Sequence, residues 1–213
     1  MTPRMAPGAA LTATGVVAVV RGTRADRVAD VLDTLVAAGV RCLEITLNTP
    51  GALDALGAAL DRLSADVELG AGTVRTPADA KAALAAGASF LVAPDASEEV
   101  AAVARDQGVA YYPGALTPSE VARAWDLGAT AVKIFPASVF GPGYLRALGD
   151  PFRDVPLLPT GGIGPGDAAD YIASGAWAVG AGGSLIGDAL EGGSLDALAE
   201  RAGLLLAAVE AAR

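Results

Sequence analysis

The 213-residue chain contains no histidine. This absence excludes Ser-His-Asp and Cys-His nucleophilic systems, and it excludes zinc sites built on histidine ligands. Any proton transfer in an enzyme of this sequence must therefore use Glu, Asp, Lys, Tyr or water. The single cysteine, Cys42, cannot form an internal disulfide bond, so we expect a reducing, cytoplasmic location.

Basic residues are also few, since 15 Lys and Arg stand against 24 Asp and Glu and the net charge is −9. Nucleic acids and membrane surfaces select basic patches, so we expect neither as a partner. No apolar run approaches the ~20 residues of a membrane helix, and the first residues lack the pattern of a signal peptide. A local pocket for a small anion remains compatible with this charge.

Eight apolar, strand-like segments alternate with helical ones along the chain. Val16–Val20 is a continuous apolar run that suits a strand buried on both faces. Residues 24–38 then show helical periodicity and end at Gly39. The further predicted strands are 42–47, 67–71, 89–93, 109–112, 130–136, 156–159 and 177–180.

Glycines that end helices recur before predicted strands, at intervals of about one or two βα repeats. Mostly apolar strands that alternate with helices indicate a single (β/α)8 TIM barrel over residues 1–213, with a short helix at its N-terminus. A doubly wound open sheet is the alternative, but no GxGxxG motif follows the first strand.

Polar residues collect at the carboxyl ends of the predicted strands, where barrels carry their active sites. These residues are Arg21, Glu44, Thr46, Asn48, Thr73, Lys133 and Thr160. Because side chains alternate along a strand, Cys42, Glu44 and Thr46 should share one face.

Lys133 lies inside an apolar stretch, whereas the chain's other lysine, Lys81, falls on an alanine-rich helical segment and should be exposed. A buried cation is costly unless it is paired or loses its charge. One interpretation is a structural ion pair with Glu44 across a narrow barrel. The other is a nucleophile, because a buried, deprotonated amine attacks carbonyl groups.

Two glycine-rich segments, 160–164 and 180–185, follow the last two predicted strands, and each is expected to open into a helix. Free amides at a helix N-terminus attract anions, and barrels often bind a phosphate at these two loops. With Lys133 and Glu44 they predict a mechanism in which an amine attacks a keto group and a carboxylate moves protons. The phosphate would anchor the far end of the substrate.

Seven motifs resemble one enzyme family, from about residue 17 to residue 185. They are VAVVRG (17–22), LEITLNTP (43–50), GAGTV (70–74), YYPGALTPSE (111–120), VKIFPAS (132–138), PTGGI (159–163) and GGSL (182–185). The sequence is similar to the 2-keto-3-deoxy-6-phosphogluconate (KDPG) aldolases, class I Schiff-base enzymes that include related 6-phosphogalactonate aldolases. The resemblance implies reversible cleavage of a phosphorylated keto acid to pyruvate and glyceraldehyde 3-phosphate. It implies a covalent lysine imine, with no other cofactor and no metal.

The resemblance also implies roles for the residues that would surround the reacting carbon. Lys133 would form the Schiff base, and Glu44 would be the general acid and base, acting through a water. Phe135 would pack near the pyruvate moiety, and Thr73 and Pro94 would line the same pocket.

The two glycine loops would hold the rest of the substrate. Thr160 would contact substrate hydroxyls or the carboxylate, and the phosphate would bind at Gly161, Gly162, Gly183 and Ser184. Thr160 and the GGSL motif are similar to the corresponding residues of the gluconate enzymes. The LNTP stretch and KIFPASVFGP (133–142) are similar to those of the galactonate enzymes. We favour the gluconate substrate or dual specificity, with 4-hydroxy-2-oxoglutarate as a further alternative.

One position departs from some members of the family, which carry an arginine where this chain has Asn48. Others carry it at the end of the first strand, so Arg21 is expected to bind the substrate carboxylate and Asn48 to make a lesser polar contact. A surface ion pair is the structural alternative for Arg21. The family is typically trimeric, which implies a homotrimer. Two rivals stay open: another phosphate-binding barrel enzyme, such as a sugar-phosphate epimerase, and a non-catalytic phosphosugar-binding barrel.

Overall fold

A computed structural model describes residues 4–213. Its strands are β1 (Val16–Val20), β2 (Cys42–Thr46), β3 (Glu68–Gly72), β4 (Phe90–Val92), β5 (Ala110–Tyr112), β6 (Gly114–Ala115), β7 (Val132–Ile134), β8 (Leu157–Pro159) and β9 (Val179–Ala181). Its helices are α1 (Ala9–Thr14), α2 (Val28–Ala37), α3 (Ala52–Leu60), α4 (Pro77–Ala85), α5 (Glu98–Asp106), α6 (Pro118–Asp126), α7 (Gly141–Gly149), α8 (Ala168–Ala173), α9 (Gly183–Ile186) and α10 (Leu195–Ala212). No helix within this described range is both long and apolar enough to cross a membrane.

The strands run parallel in two hydrogen-bonded sheets. One sheet has the order β5-β4-β3-β2-β1-β9, and the other has the order β6-β7-β8. At one junction of the sheets, an isolated parallel bridge joins Thr160, which follows β8, to Gly180 in β9. At the other, Pro113 alone separates β5 from β6. The chain therefore has the predicted α/β class, with parallel strands that curl around a common interior.

The break at Pro113 has a local cause. Proline has no amide hydrogen and cannot donate to a neighbouring strand. The chain then resumes pairing at Gly114, which lies opposite Lys133 in β7. A Cβ at Gly114 would lie 2.1 Å from the carbonyl oxygen of Pro94, so only glycine fits where β6 approaches the segment after β4. The short strand β6 and the helix α7 are both absent from the predicted set of elements.

The interior enclosed by the strands has its own apolar cluster, separate from the larger core between strands and helices. Alternate residues of the strands supply it, among them Val17, Cys42 and Leu158. Phe90 and Tyr112 meet there edge to face, with ring centroids 5.6 Å apart. This packing fills one half of the interior and leaves the other half to the polar residues at the carboxyl ends of the strands.

The short helix α1 covers the amino-terminal end of the strands. Its Leu11 is buried in the interior cluster. The carboxylate of Glu68, at the start of β3, accepts a hydrogen bond from the Ala10 amide at 3.0 Å, in the first turn of the helix. At the other end, the Arg213 guanidinium donates to two carbonyls of the last turn. An anion at the N-terminus and a cation at the C-terminus both complement the helix dipole.

Leu11→Ala should lower the free energy of unfolding by about 2–5 kcal/mol, because it leaves a cavity in the interior cluster. Leu204→Ala, at a position of α10 that is 56% exposed, is the matched control. It should change the free energy by no more than about 0.5 kcal/mol. Urea denaturation followed by circular dichroism measures both, and equal effects would contradict a packed role for α1.

Candidate active site

Glu44 occupies the middle of β2, a strand whose five residues are all buried. The side chain is 1% exposed, and its Oε1 atom has no hydrogen-bond partner among the residues that the structure describes. Gly72, on the adjacent β3, leaves the room for it, since a Cβ there would lie 2.5 Å from Oε1. Burial raises the pKa of the Glu44 carboxyl, and the positive charges of Lys133 and Arg21 oppose part of that increase.

Lys133 lies at the centre of β7 and is 7% exposed. Its Nζ atom is 5.3 Å from the centroid of the Phe135 ring, a cation–π distance. The ion pairs found within residues 4–213 join surface side chains and do not include Lys133 or Glu44. The structural ion pair between these two residues is therefore a wrong interpretation. Lys81, by contrast, is exposed on α4 as predicted.

A cavity of about 210 Å³ opens at the carboxyl ends of the strands and contains both groups. All of the predicted site residues except Ser184 line it: Lys133, Glu44, Arg21, Asn48, Thr73, Pro94, Phe135, Thr160, Gly161, Gly162 and Gly183. The structure thus brings together residues that lie on or just after seven different strands. It adds three residues that had no predicted role: Val19, Gly182 and Thr46, of which only Thr46 was among the polar residues noted at the strand ends. Each of the three lies within a family motif, and Thr46 shares the strand parity of Glu44.

Thr73 has an unusual backbone at the edge of this cavity. Its φ angle is 59°, and within residues 4–213 it is the one non-glycine residue with positive φ. A β-branched residue in this left-handed region stores roughly 1–3 kcal/mol of strain, and such strain concentrates at functional sites. The neighbouring backbone is held by β2, because the Leu47 amide donates to the Gly72 carbonyl at 2.8 Å.

Arg21 follows β1 directly and is exposed at the cavity. Within the described residues, its guanidinium takes part in no ion pair, so the surface ion pair considered for it does not form. Asn48 is exposed on the same side, after β2. The cavity therefore presents a cation and an amide to any ligand that enters it.

The loop after β8 forms the opposite wall. Gly161 and Gly162 have φ angles of 95° and 78°, which favour glycine. A Cβ at Gly162 would lie 2.5 Å from the Oγ atom of Ser138. The Ser138 amide donates to the Gly161 carbonyl at 3.1 Å, which attaches the loop to the segment after β7. Gly180 likewise leaves room for Thr160, since a Cβ there would lie 2.3 Å from Oγ1.

Two expectations about these loops need correction. The segment after β8 does not lead at once into a helix, because α8 begins only at Ala168. Ser184 lies within the four-residue helix α9, is exposed and does not line the cavity. Its Cβ atom instead borders Gly164, where an added Cβ would lie 3.0 Å from it. Ser184 therefore stands at the rim, between the two glycine loops.

A family model described as KDPG and KHG aldolase matches residues 8–200. The chain belongs to the KDPG and KHG aldolase family. The 2-dehydro-3-deoxy-phosphogluconate aldolase of Pseudomonas aeruginosa is 42% identical over 155 residues, which cover 70% of this chain and 69% of that one.

Two solved structures share the fold of this family member. One, named "Native KDPGal structure", has a TM-score of 0.86 and 31% identity, covering 92% of this chain and 95% of that one. The other is KDPG aldolase from Legionella pneumophila with pyruvate captured at low pH as a covalent carbinolamine intermediate. Its TM-score is 0.83 at 28% identity, covering 92% of this chain and 96% of that one.

The burial of Glu44 predicts a pH dependence of stability that Glu44→Gln should remove. The ordinary pKa of glutamate is 4.5, and folding raises the pKa of Glu44, so the folded protein holds this proton more tightly than the unfolded chain does. As pH rises from the ordinary value through the raised pKa, the wild type should lose stability relative to Glu44→Gln. The loss in the free energy of unfolding is about 1.4 kcal/mol for each tenfold difference in the proton affinity of Glu44 between the folded and the unfolded chain. Urea unfolding of both proteins between about pH 4 and about pH 9 measures it.

Glu120→Gln supplies a control of opposite sign. Hydrogen bonds from the amides of Thr117 and Leu116 lower the pKa of Glu120 at the start of α6. The wild type should therefore gain stability relative to this variant as pH rises through the acid range. A stability difference between wild type and Glu44→Gln that does not vary with pH would show that the Glu44 carboxyl is not desolvated.

Proposed function

We propose that the chain is a class I aldolase that reversibly cleaves 2-keto-3-deoxy-6-phosphogluconate to pyruvate and glyceraldehyde 3-phosphate. The observation that carries the proposal is a buried lysine that joins no ion pair among residues 4–213 and shares a cavity with a buried carboxyl group. In this proposal Lys133 is the nucleophile and Glu44 is the general acid and base. The names of the relatives, and the pyruvate carbinolamine of the Legionella pneumophila enzyme, support the same chemistry.

Substrate binding would use the two walls of the cavity. Arg21 pairs with the carboxylate of the substrate, beside the keto carbon, and Asn48 adds a weaker polar contact. Thr73, Pro94 and Phe135 enclose the three carbons that become pyruvate. A low-dielectric wall of this kind strengthens the electrostatic interactions inside the site.

The first chemical step joins Lys133 to the substrate. Its Nζ atom attacks the keto carbon, and the carbonyl oxygen takes up protons and leaves as water. A carboxyl group with a raised pKa suits this step, because it keeps a proton to donate at higher pH than an ordinary glutamate does. Glu44 delivers that proton through a water molecule, and an iminium ion results.

The iminium ion then makes carbon–carbon cleavage possible without a metal. Glu44, now a carboxylate, accepts the proton of the C4 hydroxyl through water as the C3–C4 bond breaks. The electron pair of that bond moves into the enamine, and glyceraldehyde 3-phosphate leaves. The enamine takes a proton at C3, and water hydrolyses the new iminium to release pyruvate and restore the lysine amine.

The phosphate would bind at the rim formed by the two glycine loops, at Gly161, Gly162, Gly183 and Ser184. The first amides of a helix have no partner inside it, so the start of α9 offers donors to an anion. Arg201 supports the position of α9, since its guanidinium donates to the carbonyls of Leu185 and Ile186 at 2.7 and 3.0 Å.

The proposal includes a closed eight-stranded (β/α)8 barrel in a single domain over residues 1–213. The Thr160–Gly180 bridge and the short junction at Pro113 support closure. It also includes a cytoplasmic homotrimer that acts in the Entner–Doudoroff pathway, as the resemblance to the family implies.

A second candidate substrate is 2-keto-3-deoxy-6-phosphogalactonate. The observation that favours it is the similarity to the structure named for KDPGal. Thr160 bears on the choice between the two substrates, because it is buried in the wall of the cavity. Its Oγ1 atom donates to the Leu158 carbonyl at 3.3 Å, and a substrate hydroxyl can replace this long hydrogen bond. A hydroxyl placed in this way distinguishes two epimers through one hydrogen bond.

Pyruvate with borohydride should attach one reduced pyruvyl group to Lys133, measured by intact mass and peptide mapping. Lys133→Ala should abolish the adduct, whereas Lys81→Ala should leave it unchanged. The chain has these two lysines and no others, so the pair of variants isolates the buried amine. An adduct that is absent from the wild type, or is found on Lys81, would contradict the aldolase proposal and favour an epimerase or a non-catalytic barrel.

Thr160→Val should shift the ratio of kcat/KM for the two epimers toward the galactonate substrate by about tenfold or more, because it removes one hydrogen bond to the substrate. Parallel assays of wild type and variant on both phosphorylated keto acids give the ratio. The pyruvyl adduct serves as the control and should form equally in both proteins. An unchanged ratio would remove Thr160 from epimer selection.

A further inference from the structure

Thr46 and Thr49, at and just after the end of β2, form a buried pair that no step of the proposed reaction uses. Each is 2% exposed. Their Oγ1 atoms are 3.1 Å apart, within hydrogen-bond distance. A buried hydroxyl is costly unless it is hydrogen-bonded, so the further partners of these two groups matter.

Those partners are the peptide groups on both sides of Arg21. The Thr46 hydroxyl donates to the Val20 carbonyl at 3.5 Å. The Gly22 amide donates to Thr49 Oγ1 at 3.2 Å. The hydroxyl pair therefore spans the backbone from the residue before the arginine to the residue after it.

The two ends of this hydrogen-bonded chain have fixed directions. The Val20 carbonyl can only accept, so it accepts from Thr46, and the Gly22 amide can only donate, so Thr49 accepts from it. Between the two hydroxyls either oxygen can be the donor. The bonds of such a chain strengthen one another.

We propose that Thr49, acting with Thr46, is a positioning residue that fixes the backbone of Arg21 and thereby aims its guanidinium at the substrate carboxylate. This inference rests on the proposed role of Arg21. Within the described residues no ion pair holds the guanidinium, so its direction depends on the backbone that carries it. Thr49 does not line the catalytic cavity, and an effect of Thr49 on substrate binding must therefore pass through another residue.

Thr49→Val keeps the shape of the side chain and removes the hydroxyl. We expect the pyruvate concentration for half-maximal borohydride trapping to rise about three- to tenfold, the effect of one lost hydrogen bond. Trapping of hydroxyacetone, a ketone with no carboxylate, should be unchanged. Thr49→Ser keeps the hydroxyl and should trap pyruvate as the wild type does. Equal losses with both ketones, or a Ser variant as weak as the Val variant, would overturn the inference.

A double-mutant cycle with Arg21→Ala tests the route of the effect. If Thr49 acts through Arg21, Thr49→Val should change pyruvate trapping by less than about twofold once the arginine is absent. Independent effects that multiply in the double variant would also overturn the inference, while leaving the aldolase proposal intact. A wild-type protein that forms no pyruvyl adduct would overturn both.

Discussion

The Glu44 carboxyl lies in the interior of the parallel sheet, where one of its oxygen atoms finds no hydrogen-bond partner within residues 4–213. Burial raises its pKa, and Lys133 stands near enough to oppose that effect without forming an ion pair with it. A direct ion pair would have favoured the charged form of the lysine, which is not nucleophilic. The two groups instead remain separate in one cavity, and neither takes part in an ion pair found within residues 4–213.

The rest of the structure maintains this separation. Gly72 leaves the volume that the carboxyl occupies, and Gly180 does the same for Thr160 on the opposite wall. Beneath these residues, the interior apolar cluster and helix α1 fill the space between the amino-terminal halves of the strands. The polar residues of the cavity therefore lie at the carboxyl ends of the parallel strands, and apolar packing fills the space beneath them. The strained backbone of Thr73 is tolerated because the pairing of β2 with β3 holds the residue before it, and the Val74 amide after it donates to the Val92 carbonyl of β4 at 3.0 Å.

The sequence predicts the parallel strands well because each is a short apolar run closed by glycine or proline. The sequence predicts the residues of the cavity because polar side chains are rare in these apolar strands, and the fold places them together at the carboxyl ends. It does not predict β6 or α7, since Pro113 interrupts one strand and the Gly-Pro-Gly start at 141–143 resembles a loop. The absent ion pair and the rim position of Ser184 depend on distances across the interior, which no local pattern encodes. The bonds of Thr49 depend on tertiary packing in the same way.

The raised pKa of Glu44 also bears on how an acidic chain binds an anionic ligand. The chain carries a net charge of −9, yet the cavity contains two basic side chains, those of Arg21 and Lys133. An ionised carboxylate in the same cavity would offset part of the attraction of these side chains for a substrate with a carboxylate and a phosphate. Burial opposes that ionisation, because it raises the pKa of Glu44 and favours the uncharged form of its carboxyl group. Desolvation of one side chain thus serves both the binding of the anion and the transfer of the proton.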